Sequence, residues 1–239
     1  MKLLRNIHAF TCLLPGLLLL VTTQAVAIDR LKLATQDWPP YQTLEDDVIG
    51  GVAVERVKCT LRKMRQPYEL HMMSWDTAQL LVESNEMDGF FSGSANTARS
   101  KFSIASDPVI SEQLSWFINS SAHLDLASES AKYGARYGAK FNTNKWLYLK
   151  KNGYNVVKKP RNADKLLDML WQREIDVALE YVLVFEHLMH LKGIPKDHFK
   201  RVPLKKEDLS LHFSKSFIKS KPNFLPTFNR ALASCLLGS

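Results

Sequence analysis

Twice along the chain a strand-length run gives way to a segment of helical period and then to another strand, and the second series starts near Ala122, where the first has ended. In the first series, residues 30–35 alternate polar and apolar, which marks a strand. Asp37-Trp38-Pro39-Pro40-Tyr41 then forms a rigid loop, because two prolines fix the backbone and cannot pair in a sheet. Gly50-Gly51 opens a helix to about Arg65, with Val54, Val57, Leu61 and Met64 on one face. A strand over 68–72, a helix over 76–85 and a short buried strand running into the Ser/Gly loop 92–94 follow, and 109–119 reads as a long extended segment. In the second series, 132–139 contains a strand ending at Gly138. Asn142 or Thr143 caps a helix through Lys151, and Gly153 stops it. Strands over 154–158 and 176–181 alternate with helices over 163–172 and 184–191. Two extended segments, 199–204 and 209–213, precede a last helix near Pro222, whose apolar face carries Phe224, Phe228, Ala231 and Cys235. Strand–helix–strand alternation with short connections is the pattern of α/β units.

The amino terminus reads as an address. Lys2 and Arg5 precede an apolar run over 13–21, and Ala25-Val26-Ala27 supplies a cleavage pattern, so 1–27 is expected to be a secretory signal peptide. The run is too short to span a bilayer as a helix. Cys12 stands at its front and is not a lipid-attachment site. What remains is long enough for one large domain or for two lobes of roughly 100 residues each. The net charge of +8 falls to +6 without Lys2 and Arg5, and the basic residues are scattered among acids. A nucleic-acid partner would need a basic stripe with interleaved aromatics, and none is present. Beyond the leader, Cys59 and Cys235 remain. In an oxidising compartment two thiols suggest one bridge, although buried free thiols are the alternative. No CxxC pair accompanies them, and His187 and His190 read as surface or packing residues, so no metal or other cofactor is expected.

Taken in order, these pieces resemble the periplasmic solute-binding proteins of family 3, the amino-acid-binding components of ABC importers. The segment 33–41 is similar to the family's opening t-x-x-x-P-P-Y element, and Gly50-Gly51 to the start of its first helix. Asp88-Gly89 resembles the D-A of a ligand-binding strand. Arg99 with Ser106-Asp107-Pro108 resembles the R…F-S-x-P signature, with Ala105 in place of the phenylalanine. Gly138, Trp146 and Gly153-Tyr154 fit the start of the second lobe, and 167–176 fits its L…G-r-x-D-a stretch. Where the family carries an acid for the ligand's amino group stands Tyr181, with Glu180 one residue before it. Adjacent residues on a strand face opposite sides.

The resemblance implies an α/β, two-lobed periplasmic-binding-protein (Venus flytrap) fold of type II, with two hinge crossings near 115–119 and 209–213. Lobe one would hold 28–118 and 208–239, and lobe two 119–207. A returning C-terminal helix would bring Cys235 to Cys59. The resemblance also implies a binding cleft. Arg99 would grip a carboxylate with its planar donors, Ser92 and Ser94 would contact the ligand, and Asn96 would cap the next turn. Trp38 and Tyr41 would line the wall, while Trp75 and Phe91 read as core. Lys140 and Phe141 would close from lobe two, Lys140 as a second anion contact, and Glu180 or Tyr181 would meet the ligand's far end. The implied function is binding of a small polar solute, an amino acid or related carboxylate, in the periplasm. The protein would be a monomer, with a membrane permease or sensor as partner. Two alternatives stand beside it. One is a dehydratase-like enzyme on the same fold with Glu180 as acid; the other is a ligand-free partner protein. The chain has no G-x-S-x-G and no phosphate loop, and no catalytic residue is expected.

Overall fold

The computed structural model describes residues 29–120, 122 and 124–236. The leader expected over 1–27, Cys12 included, lies outside them. Among the described residues no helix is long and apolar enough to cross a membrane.

Strand β1 (Leu31–Thr35) buries four of its five side chains, as a strand covered on both faces does. It leads through a hairpin, β2 (Thr43–Glu45) and β3 (Val48–Gly50), into helix α1 (Val52–Lys63). Gly51 sits between them at φ +105, where a Cβ would stand 2.5 Å from the Tyr41 carbonyl oxygen; only glycine fits there. After β4 (Tyr68–Met72), helix α2 (Trp75–Glu83) starts where the Ser74 hydroxyl accepts from the Thr77 amide, and β5 (Gly89–Gly93) is buried throughout. A 3-10 turn, Arg99–Lys101, precedes the 17-residue β6 (Ser103–Asn119).

The next elements are α3 (Glu129–Gly134), β7 (Tyr137–Gly138), α4 (Asn144–Lys151), β8 (Val156–Lys158), α5 (Ala163–Trp171), β9 (Val177–Tyr181) and α6 (Val182–Leu191). The 16-residue β10 (Phe199–Ser214), α7 (Lys215–Ser220) and α8 (Phe224–Leu236) end the described chain.

The strand order is β4-β1-β5-β10-β6-β9-β7-β8. Two parallel blocks, β4-β1-β5 and β9-β7-β8, flank the antiparallel pair β10 and β6. At about 3.3 Å per residue β6 runs roughly 55 Å, far beyond an ordinary strand. It therefore serves both blocks. It pairs with β9 only over 114–118, and β10 pairs with β5 only over 210–213. Between these stretches the sheet narrows to two strands, with Ser111, Glu112 and Gln113 opposite Asp208, Glu207 and Lys206. Helix α8 folds back on α1, and a disulfide joins Cys59 to Cys235 across 176 residues of sequence.

Four elements differ from the sequence expectation. Helix α3 is additional, started where the Ser128 hydroxyl accepts from the Ala131 amide, while the strand expected within 132–139 is β7, ending at Gly138 as expected. The β2–β3 hairpin turns on Asp46 and Asp47, both at positive φ, without the glycine that usually announces such a turn. The segments 199–204 and 209–213 are one strand, bulged near Pro203 and Ser210. Helix α7 is additional.

Candidate functional site

The carboxyl ends of parallel strands from both blocks point into one crevice. In open α/β sheets that is where ligands bind. Gln36 and Trp38 follow β1, Ser92 and Ser94 close β5, and Arg99 sits in the 3-10 turn beyond. Facing them, Lys140 follows β7, Asn144 and Lys145 open α4, and Tyr181 ends β9. The cavity they enclose measures about 20 Å³, room for about one water molecule.

Arg99 is 3% exposed. Its Nε donates to Gln79 Oε1 at 2.9 Å, and its Nη1 donates to the Ser94 carbonyl at 2.5 Å and to Asn144 Oδ1 at 3.2 Å. The guanidinium lies 4.9 Å from the centre of the Trp75 ring, a cation–π arrangement. Burial pulls its pKa down to about 10, with Tyr181 and Glu207 pulling the other way, so it stays charged at neutral pH. Asn96 Oδ1 accepts from the Arg99 amide at 2.8 Å and so orders the turn, while Asn96 Nδ2 donates to Asn144 Oδ1 at 2.6 Å. Asn144 Nδ2 in turn donates to the Ala95 carbonyl at 3.0 Å.

The Lys140 ammonium is buried against Gln36 Oε1 and lies 5.7 Å from the Trp38 ring. Burial, reinforced by neighbouring Lys145, pulls its pKa down to about 8. Lys145 and Glu180 form an ion pair from which water is excluded. Burial lowers the Lys145 pKa, and Glu180 opposes that shift. Glu180 Oε1 also accepts from the Tyr181 amide at 2.8 Å, and its Oε2 has no partner among the described residues. The Tyr181 hydroxyl is bonded to the Glu207 carboxylate, and burial raises its pKa. Tyr41 is fully buried and donates to Glu112 Oε2 at 2.6 Å. Glu112 and Glu207 are register partners in the two-strand neck, so one tyrosine from each block holds one neck glutamate.

Of the residues singled out in the sequence, Arg99, Ser92, Ser94, Trp38, Lys140 and Tyr181 line the cavity. Four do not. Tyr41 stands behind the wall, edge-on to Trp38 at 5.0 Å. Glu180 is not on the lining itself and stands behind it, bonded to the wall residue Lys145. Asn96 serves the Arg99 turn. Phe141 lies on a wider outer pocket of about 420 Å³, with Lys159 and Arg161 against its ring. Conversely, Trp75 is wall rather than core alone, and Gln36, Asn144 and Lys145 join the lining. Lys145 left one sequence signal. A cation in the first turn of α4 opposes the helix dipole, which marks the position as unusual without naming its partner.

No protein-family model matches the chain, and no curated protein matches it in sequence. Solved structures do. The arginine-, lysine-, histidine-binding protein ArtJ from Geobacillus stearothermophilus superposes with a TM-score of 0.73 at 14% identity, over 87% of this chain and 90% of that one. A histidine kinase sensor domain with similarity to periplasmic binding proteins gives 0.74 at 16% identity, over 87% and 90%. The GluR0 ligand-binding core from Nostoc punctiforme, in complex with L-glutamate, gives 0.72 at 15% identity, over 87% and 93%. At such identities the likeness speaks for architecture, and on that evidence the chain has the two-lobed fold of the type II periplasmic binding proteins.

Proposed function

We propose that the protein is a periplasmic solute-binding protein of the family 3 kind. Its lobes, 28–118 with 208–239 and 119–207, close around a small carboxylate-bearing solute, an amino acid or a related acid. The observation that carries this reading is Arg99: a guanidinium buried on the wall of a cavity to which both sheet blocks contribute. A planar fork of donors in a water-poor cleft is suited to a carboxylate. Two of the neighbours named above bind arginine, lysine and histidine, or L-glutamate, which supports a solute of this size. Lobe closure is a hinge motion that a membrane permease or a sensor can read, and the cycle requires no chemical step. Titration calorimetry with a panel of amino acids and small carboxylates tests the reading. At least one should bind, and Arg99→Met should weaken that solute about 100-fold, as loss of a charge-assisted bidentate contact does. Unchanged affinity in the variant would remove the reading.

The size of the cavity favours one second reading, a ligand-free partner protein. Space for about one water, with Arg99 already bonded by the chain's own acceptors, is what a constitutively closed molecule would show. Absence of heat from the entire panel would select it.

A further inference from the structure

The cavity wall carries three cations, Arg99, Lys140 and Lys145, and no aspartate or glutamate. Only Lys145 has a contact ion pair, with Glu180; Glu180, Asp76 and Asp37 act on Lys140, and Glu207 on Arg99, through space alone. The acceptors around Arg99 are the Gln79 and Asn144 side-chain amides and the Ser94 carbonyl, all neutral, and the acceptor on Lys140 is the Gln36 amide. A buried cation that meets only neutral dipoles leaves part of its desolvation cost uncompensated. Two such cations on one wall, neither in contact with a carboxylate, leave the wall short of negative charge. The Trp38 indole N–H, on the same wall residue set, is buried and has no acceptor among the described residues. Every one of these groups is a donor.

Most acids near the cavity are engaged, Glu180 through its Oε1 alone. Glu180 is held by Lys145, Glu207 by Tyr181 and Lys205, and Asp76 by Arg161 and Asn142. Asp37 lies on the outer pocket. An ammonium group in the cavity would therefore meet three wall cations and no acid of the lining, the nearest carboxylates being Glu180, paired with Lys145, and Asp37, on the outer pocket within electrostatic reach of Lys140. From this charge pattern we infer that the solute is a small dianion without an ammonium group, a short dicarboxylate. Arg99 holds one carboxylate and Lys140 the other. The inference rests on the solute-binding reading and narrows it. Asn144 Oδ1, which spans the crevice to Arg99 Nη1, occupies the position that the first carboxylate takes when the lobes open and reclose.

Calorimetry on the purified protein at pH 7 with four probes tests this: glutarate, pentanoate, L-glutamate and L-arginine. Glutarate should bind at least tenfold tighter than L-glutamate, which adds only the ammonium, and at least 100-fold tighter than pentanoate, which lacks the second acid. L-Arginine should give no heat. Lys140→Met should weaken glutarate about 30-fold and pentanoate less than threefold. Its melting temperature should be no lower than that of the parent, because an uncompensated buried cation has been removed. Tighter binding of L-glutamate or L-arginine than of glutarate would overturn the dianion and leave solute binding intact. So would equal losses for glutarate and pentanoate in the variant. Should the variant not fold, the four affinities of the parent protein decide alone. No heat from these probes or from any other amino acid or carboxylate would overturn both readings.

Discussion

His212 is held neutral by its surroundings. Burial pushes its pKa down to about 4 from the ordinary 6.5. The Gly93 carbonyl, 3.0 Å from Nε2, opposes the shift, and the nearby Arg99 charge adds to it. The ring also stacks on Phe90 at 4.9 Å. On acidification the unfolded chain takes up this proton first. Stability that is fully present above pH 6.5 is thus lost as the pH falls through the window from 6.5 to 4, by about 3 kcal/mol for this group. Thermal melts between pH 7 and pH 4 should show the decline, and His212→Gln should flatten it; an unchanged slope in the variant would contradict the assignment. Legibility at this scale followed chemistry. Arg99 and Ser94 were readable because their types and spacing suit a carboxylate. Lys145 and Asn144 were not, because their roles exist only once α4 has been carried across the crevice to face Trp38 and Arg99. Glu180 was readable as a candidate, but its direction depended on pairing with a lysine 35 residues away.

At the scale of elements, helix α8 is anchored to α1 by the Cys59–Cys235 bridge. Closing a loop of 176 residues restricts the unfolded chain by about 5 kcal/mol in the chain-entropy account. Cys59→Ser, or reduction of the parent, should therefore lower the melting temperature by about 10 °C. Calorimetry with and without reductant reads this directly, and a shift under about 2 °C would mean that packing of Phe228 and Leu232 holds α8 unaided. The helices and inner strands were legible because burial imposes period. Leu166, Leu167 and Leu170 mark α5 as clearly in the sequence as in the fold. The β2–β3 hairpin was not, since Asp46 and Asp47 adopt positive φ with no glycine to signal it. Nor was the continuity of β10 through 205–208, a charged stretch that reads as loop but stays extended because β6 supplies its hydrogen bonds.

Across the whole molecule, polar links join the two blocks over the crevice. The Trp75 indole donates to the Asn142 carbonyl at 3.1 Å, and Asp76 accepts from Asn142 Nδ2 at 2.6 Å and pairs with Arg161. Each link contributes about 1 kcal/mol. Asp76→Ala removes two of them and, on the solute-binding reading, should raise the open population about 30-fold. Small-angle scattering should report a larger radius of gyration without solute, and Trp75 fluorescence should shift as the ring loses its cover. Identical scattering curves for the two proteins would show that closure does not depend on these links.

The two neck glutamates give the molecule a short lever. Glu112 and Glu207 face each other where the sheet is only two strands wide, and each is gripped by the hydroxyl of an aromatic residue, Tyr41 or Tyr181. Tyr181 is itself cavity wall, and Tyr41 braces Trp38, which is also wall. On the solute-binding reading, a guest that shifts either ring acts on the narrowest part of the sheet directly, through one hydroxyl and one carboxylate.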